Sequence, residues 1–378
     1  SDPLYKLIHE ENGPLKTPKD VEKLFTENSK NKLKQLQVEL SDIKKRRPQT
    51  PKAMAVREGK VQDLKVHLRG DYMTQGELAP RGYLRAITNQ KINNPSKKNS
   101  GRNEFALWLT KDNPLTARVM VNRIWLWHFG QGIVRTPDNF GKLGLRPTHP
   151  ELLDWLAFKF VKNNWSIKQM HRIIMNSATY HMSSKFQEST YAIDPDNNLW
   201  WRFNRRRLQA EEVRDSLLIT GNSIELGMQS QLMQYNSRQY VSQNEHPYFS
   251  GSTRTVYLPV IRSGTFDVLQ AFDFGDPAVI QGQRSSTVGA AQALFMMNHN
   301  IVTKASKRLA MQSNGNPNII GATHQLYEDI LRRKPNEHET LRAIKFLKEE
   351  ESSEQPSLQA WKSLAQVLLS SNEFMFID

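Results

Sequence analysis

Along most of this chain apolar residues recur every three or four positions, the period of a helix that buries one face. Leu33, Leu36, Leu40 and Ile43 keep that spacing while lysines fill the other faces, so a long amphipathic helix is expected from Val21 to Arg47, stopping before Pro48. The period returns at Leu152, Leu153, Leu156 and Phe160, at Ile167, Met170, Ile173 and Ile174, and at Leu341, Ile344 and Leu347. Each run comes after residues suited to a helix start. Thr148-His149-Pro150-Glu151 offers a hydroxyl cap, an early proline and a glutamate three residues on, and Ser166 with Gln169 and Asn336 with Glu339 repeat the pairing. A further helix is expected from Leu115 to Phe129, ended by Gly130.

Strand-like patterning is sparse. It appears in AMAVREG and LKVHLRG between Ala53 and Leu68, at Thr255 to Val260, and at Gln239 to Ser242. The Pro-rich connector RRPQTPK precedes the first of these, and Gly59, Gly70, Gly76 and Gly82 punctuate this part of the chain. The polar stretch QKINNPSKKNSGRN at 90–103 reads as a linker. The expectation is a mainly α protein: a small β-containing N-terminal part over 1–95, and a helical, loop-rich C-terminal unit over 101–378.

Composition narrows the class. With 38% hydrophobic and 24% charged residues in 378, the chain is neither a disordered nor a membrane sequence, and no apolar run approaches the roughly 20 residues that cross a bilayer. Without cysteine it carries no disulfide, thiolate metal site or thioether haem attachment. The net charge is +14, and all the surplus lies in the first 220 residues. Such a one-sided field favours polyanions: acidic polysaccharide, acidic lipid or nucleic acid. A solvated helix face over Lys30 to Lys45 accounts for part of it.

Several ordered blocks carry a family resemblance. They include NPLTARVMVNRIWLWHFGQGIVRTPDNFG (113–141), RPTHPELLDWLA (146–157), DPDNNLWWRFNRRRLQAEEVRDSLL (194–218), RTVYLPVIR (254–262), FDFGDP with STVGAAQALFMMN (272–298), and LLSSNEF (368–374). The chain resembles the planctomycete-type PSD-one domain of unknown function, found C-terminal to cytochrome c-like modules in large exported proteins. The resemblance implies an extracytoplasmic location and a linked or separate cytochrome c-like module as partner. No cofactor is expected in this chain itself, haem being expected only in a linked upstream module. The start at Ser1, without a leader, suits a processed product or a fragment. The resemblance brings no activity with it.

Candidate chemistry concentrates in two segments. Asn122, Arg123, Trp127 and His128 crowd the last turns of the 115–129 helix, where an indole stacks on a sugar face and a guanidinium grips carboxylate or sulfate. Pairing along the helix, Arg118 with Asn122 and Arg123 with Trp127, explains the same residues without a ligand. His128, and His171 on the next expected helix but one, are candidates for proton transfer. No metal-ligand spacing such as H-E-x-x-H is present, and no metal site is expected.

The second segment is RRRLQAEEVRD. On a continuous helix Arg207, Glu211 and Asp215 share one ridge, and two carboxylates beside Arg206 and Arg207 form either an acid–base pair or an ion-pair network. Neighbouring arginines keep both carboxylates ionised, which favours the network. Ser285, Ser286 and Thr287 sit before an expected helix with Gln292, Asn298 and His299, where capping is the ordinary role. There is no G-x-S-x-G, G-x-G-x-x-G or Walker loop.

Three functions stay open: binding or processing of anionic polysaccharide, docking of a partner protein or acidic envelope surface, and nucleic-acid binding. The lack of helix-turn-helix and aromatic RNA-binding patterns weighs against the last. The expected site is a basic, aromatic-walled cleft between the 115–129, 166–178 and 208–220 helices.

Overall fold

The structure is a computed structural model that describes residues 21–47, 55–84, 87, 99–227, 251–258, 260, 267–349 and 355–377. The chain divides into two compact units, one of residues 1–81 and 93–101, the other of 82–92 and 102–378.

In the first unit, helix α1 spans Glu27–Arg46. The Thr26 hydroxyl caps it by accepting the Ser29 N–H at 3.4 Å, and three basic residues in its last turn suit the negative end of the helix dipole. It begins six residues later than the apolar pattern suggests, because Val21–Leu24 forms a separate 3₁₀ turn. None of its described residues is buried. A hairpin of β1 (Leu64–His67) and β2 (Gln75–Ala79) pairs Leu64 with Ala79 and Lys65 with Leu78. Asp71 folds its turn by accepting the Met73 N–H at 2.9 Å and the Thr74 hydroxyl at 2.7 Å. Residues 55–59, part of the expected first strand, are not in a strand.

The second unit is built from helices. In order they are α2 (Arg102–Leu107), α3 (Pro114–Phe129), α4 (Pro150–Lys162), α5 (Ile167–Met175) and the single turn α6 (Glu188–Tyr191). After the short strand β3 (Arg206–Arg207) come α7 (Ala210–Thr220), α8 (Asp267–Ala271), α9 (Ala290–Asn298), α10 (Asn300–Ser313) and α11 (Ile319–Leu331). The chain closes with α12 (Glu337–Glu349), α13 (Leu358–Leu369), α14 (Asn372–Met375) and β4 (Phe376–Ile377), which pairs antiparallel with β3. The protein is therefore mainly α. No helix among the described residues is long and apolar enough to cross a membrane.

Two apolar cores support this unit. The first joins α3, α4 and α5 through Val121, Ile124, Phe129, Leu153, Leu156, Phe160, Met170 and Ile174, and is closed by Trp200 and Phe203 from the loop before β3. The second joins α7 to α14 around Leu217, Phe272, Val302, Leu309, Leu326, Trp361 and Leu369. Burying Trp361 or Phe272 removes enough apolar surface to contribute roughly 2–3 kcal/mol each.

The helix starts read from the sequence divide into two kinds. The Ser166 hydroxyl accepts the Gln169 N–H at 3.3 Å, and Asn336 and Glu339 close a reciprocal box at 2.8 and 2.9 Å. Thr148 does not cap α4. Its hydroxyl turns to the Ile133 carbonyl at 3.3 Å and meets the His149 ring at 3.0 Å, His149 takes the cap position without a side-chain capping bond, and Pro150 starts the helix. Thr255–Tyr257 forms a 3₁₀ turn instead of the expected strand, because Asp215 accepts both the N–H and the hydroxyl of Thr255. The strand expected at 239–242 lies outside the described residues.

The segment before β3 is held by one asparagine. Asn197 is buried; its amide donates to the Arg202 carbonyl at 2.8 Å and to Asn204 at 2.9 Å, while its oxygen accepts the Trp201 N–H at 2.8 Å. Asp194 accepts the N–H groups of Asn198 and Leu199. The D-P-D-N-N-L-W-W run is thus a knotted turn that fixes where the next arginines emerge.

Candidate functional site

Helix α3 ends where Gly130 adopts φ +76°, a left-handed conformation that costs a glycine little. Beside that end lies a cleft of about 500 Å³. Its walls are the last turns of α3, residues 204–209 around β3, and the loop between α8 and α9. Among the described residues five arginines line it, Arg123, Arg205, Arg206, Arg207 and Arg284, with the half-exposed Trp127. Five carboxamides, Gln131, Asn204, Gln209, Gln281 and Gln283, and the hydroxyls of Ser285 and Ser286 join them.

The loop wall is an Ω-shaped segment pinched at its base. Asp273 accepts the Thr287 N–H and the Thr287 hydroxyl, both at 2.8 Å, which brings residues 273 and 287 together. Arg207 pins that neck, donating to Asp273 at 2.7 Å and to the Thr287 carbonyl. Burial pushes the Asp273 carboxyl up, but the Thr287 and Arg207 hydrogen bonds outweigh it, and the group lies below its ordinary value. At the loop's far end Gly282 sits directly on Asp138, where a Cβ would fall 2.0 Å from the carboxylate oxygen, so a larger residue there would displace that half-exposed carboxylate.

Most of these guanidiniums already face carboxylates. Arg206 makes a two-point pair with Glu212 at 3.0 and 3.2 Å, and Arg284 another with Glu211 at 2.6 and 2.9 Å. Arg123 differs: among the described residues its ion-pair contact is at 3.4 Å, to Asp138, with Arg123 partly and Asp138 half exposed. Its pair is longer than those of Arg206, Arg207 and Arg284.

The residues singled out in the sequence scatter over several environments. Arg123, Trp127, Arg206 and Arg207 line the cleft. Arg207 does not share a helix with Glu211, because the chain is extended at β3 and α7 begins only at Ala210. Asn122 is sealed in the interior, where its amide donates to the Val134 carbonyl at 3.0 Å and accepts the Val134 N–H at 2.8 Å. Glu211 faces Arg284. Asp215 accepts Thr255 at 2.6 and 2.8 Å, with Arg254 at 3.5 Å and the buried Arg214 at 3.8 Å. Arg214 in turn donates to the carbonyls of Thr253 and Gly251, both at 2.7 Å, and to the Thr255 hydroxyl at 3.0 Å, so this network is a structural rivet.

The two candidate histidines do meet. His128 Nε2 and His171 Nδ1 are 2.7 Å apart, with the Tyr180 ring edge-on to His128. Neither histidine lines the cleft, and α5 contributes no lining residue. The third wall is the loop, whose Arg284 and glutamines keep no period that a sequence reading detects. Among the described residues no group of three or more His, Asp or Glu is arranged to hold a metal ion.

The profile of the PSD1 family, described as a protein of unknown function (DUF1553), matches residues 101–347. The chain belongs to that family. No curated protein and no solved structure matches the chain. The matched span contains the whole of α3 to α11 and every cleft-lining residue except Phe376 of β4.

Proposed function

We propose that the PSD1 unit binds an anionic polysaccharide in the arginine-walled cleft and performs no acid–base chemistry there. What carries this reading is the wall itself. Guanidiniums match carboxylate or sulfate, carboxamides match sugar hydroxyls as donor and acceptor at once, and Trp127 offers a ring for an apolar sugar face. The proton-transfer candidates support binding over turnover. The Glu211 carboxylate is engaged at both oxygens by Arg284, Asp215 is tied to the Thr255 N–H and hydroxyl away from the cleft wall, and the His128–His171 pair stands off the cleft.

Among the described residues Asp138, Glu211, Glu212 and Asp273 offset much of the arginine charge, so recognition rests on the guanidinium edges they leave and on Arg123. The setting implied by the sequence resemblance, an exported protein acting with a cytochrome c-like module, belongs to the same proposal. Titration calorimetry against a sulfated or uronate-rich glycan and a neutral glycan of equal length tests it. The anionic glycan should bind with a salt-dependent affinity and the neutral one at least tenfold more weakly; equal affinity for both, or none for either, would sink the reading.

A further inference from the structure

A second surface, outside the cleft, gathers the exposed Phe186 and Tyr191 and the partly exposed Trp201 around an arginine. The Phe186 ring meets Tyr191 at 5.1 Å and Trp201 at 6.5 Å, and the Arg202 guanidinium lies over Trp201 at 4.6 Å and over Phe186 at 5.6 Å. Phe186 is 58% exposed, and Ile193, just before the knotted turn, and Leu199 within it are 81% and 63% exposed. Stacking fixes the Arg202 side chain, so little conformational freedom remains to be lost on contact. Among the described residues Arg202 has no ion-pair partner, and neither has Glu188, two positions from Phe186 at the start of α6.

We infer that this patch is a self-complementary interface through which a second copy of the chain docks about a twofold axis. In such an arrangement each contact occurs twice with roles exchanged, so a surface that offers one spare cation and one spare anion beside an apolar centre satisfies itself. Arg202 of one copy then faces Glu188 of the other, with the Phe186, Tyr191 and Trp201 rings between them. Aromatic residues and arginine are the types that concentrate at the centres of interfaces. A sugar is the poorer occupant: the rings are tilted by 51° and 68° to one another and present no flat platform. The inference is independent of the cleft and of what binds there.

Sedimentation of the full chain tests it, at concentrations on the order of 100 μM and about 0.15 M salt, where long-range repulsion between basic copies is largely screened. The unaltered chain should form a dimer. Phe186→Ser, Arg202→Glu and Glu188→Arg should each weaken it at least tenfold, while the combined Arg202→Glu and Glu188→Arg chain should regain it. All three sites are at the surface, and circular dichroism confirms that each variant is folded. A monomer at that concentration overturns the proposal, as does a dimer that all three single changes leave intact or a charge exchange that fails to restore association. Loss of anionic-glycan binding on Arg202→Glu in a chain that is monomeric throughout would reassign the patch to glycan and equally overturn it.

Discussion

His128 on α3 and His171 on α5 share a hydrogen bond of 2.7 Å, so one ring must donate while the other accepts. Burial first, then the charges of His171 and Arg206, hold His128 below its ordinary value of 6.5. Between that lowered value and about 6.5 the unfolded chain binds more protons than the folded one, so stability rises with pH there. The contribution is complete above about 6.5 and is lost as the pH falls through the folded value. Melting temperature should therefore drop between pH 7 and pH 5, and His128→Gln should flatten that slope. His299, also lowered by burial, supplies the residual slope in the variant. Identical slopes in the two proteins would remove His128 from the account.

The Arg207–Asp273 pair sets the stability of the loop that walls the cleft. Arg207 is only 5% exposed and Asp273 16%, so Asp273→Asn leaves a desolvated guanidinium without its counter-charge and weakens both Thr287 contacts. A loss of about 3 kcal/mol is expected in denaturant unfolding. Proteolysis under native conditions should then cut between residues 273 and 287. A variant as stable and as resistant as the parent would show that the neck is held from elsewhere.

Two helix starts that look alike in sequence should respond differently to alanine. Asn336→Ala removes a formed capping bond and should cost about 1 kcal/mol. Thr148→Ala removes hydroxyl contacts to the Ile133 carbonyl at 3.3 Å and the His149 ring at 3.0 Å, both part-buried, but no cap, so its cost should be smaller. Hydrogen bonds from Arg333 hold the neighbouring Glu339 carboxyl at about 2, below its ordinary 4.5. Its contribution is thus present above pH 4.5 and fades as the pH falls towards 2, a window separate from that of the histidines. Urea midpoints of the two alanine variants at pH 7 decide the comparison.

How much of the fold is legible in the sequence depends on the range of the interaction. Helices α3, α4, α5 and α12 arise from local period and punctuation, since an i to i+4 pattern and a terminal glycine or asparagine act within a few residues. Cap chemistry misleads where a distant group competes: Thr148 is drawn to Ile133, and Thr255 to Asp215 on α7. Arg207 falls outside α7 because Gln209 and Ala210, not the preceding arginines, mark the start of that helix. The cleft is half legible. Trp127 and Arg123 lie in a dense block, whereas Arg284 and Asp138 enter the site through contacts spanning 73 and 15 residues, which leave no periodic trace.

Glu211 and Arg123 together separate binding from catalysis. Glu211 occupies both ends of the Arg284 guanidinium, so as a counter-ion it competes with an incoming anion. Neutralising it by Glu211→Gln frees that guanidinium and adds one positive charge to the cleft. A unit charge a few ångströms away in water amounts to about 1 kcal/mol, so affinity for an anionic glycan should rise about fivefold. Arg123→Ala should lower it by a similar factor and leave folding stability within about 0.5 kcal/mol, because its contact with Asp138 is exposed and long. Calorimetric titrations of the parent and both variants at one salt concentration give the three affinities directly. If Glu211→Gln instead abolishes a glycan-cleaving activity while affinity stays unchanged, the carboxylate is an acid–base residue and the cleft is an active site.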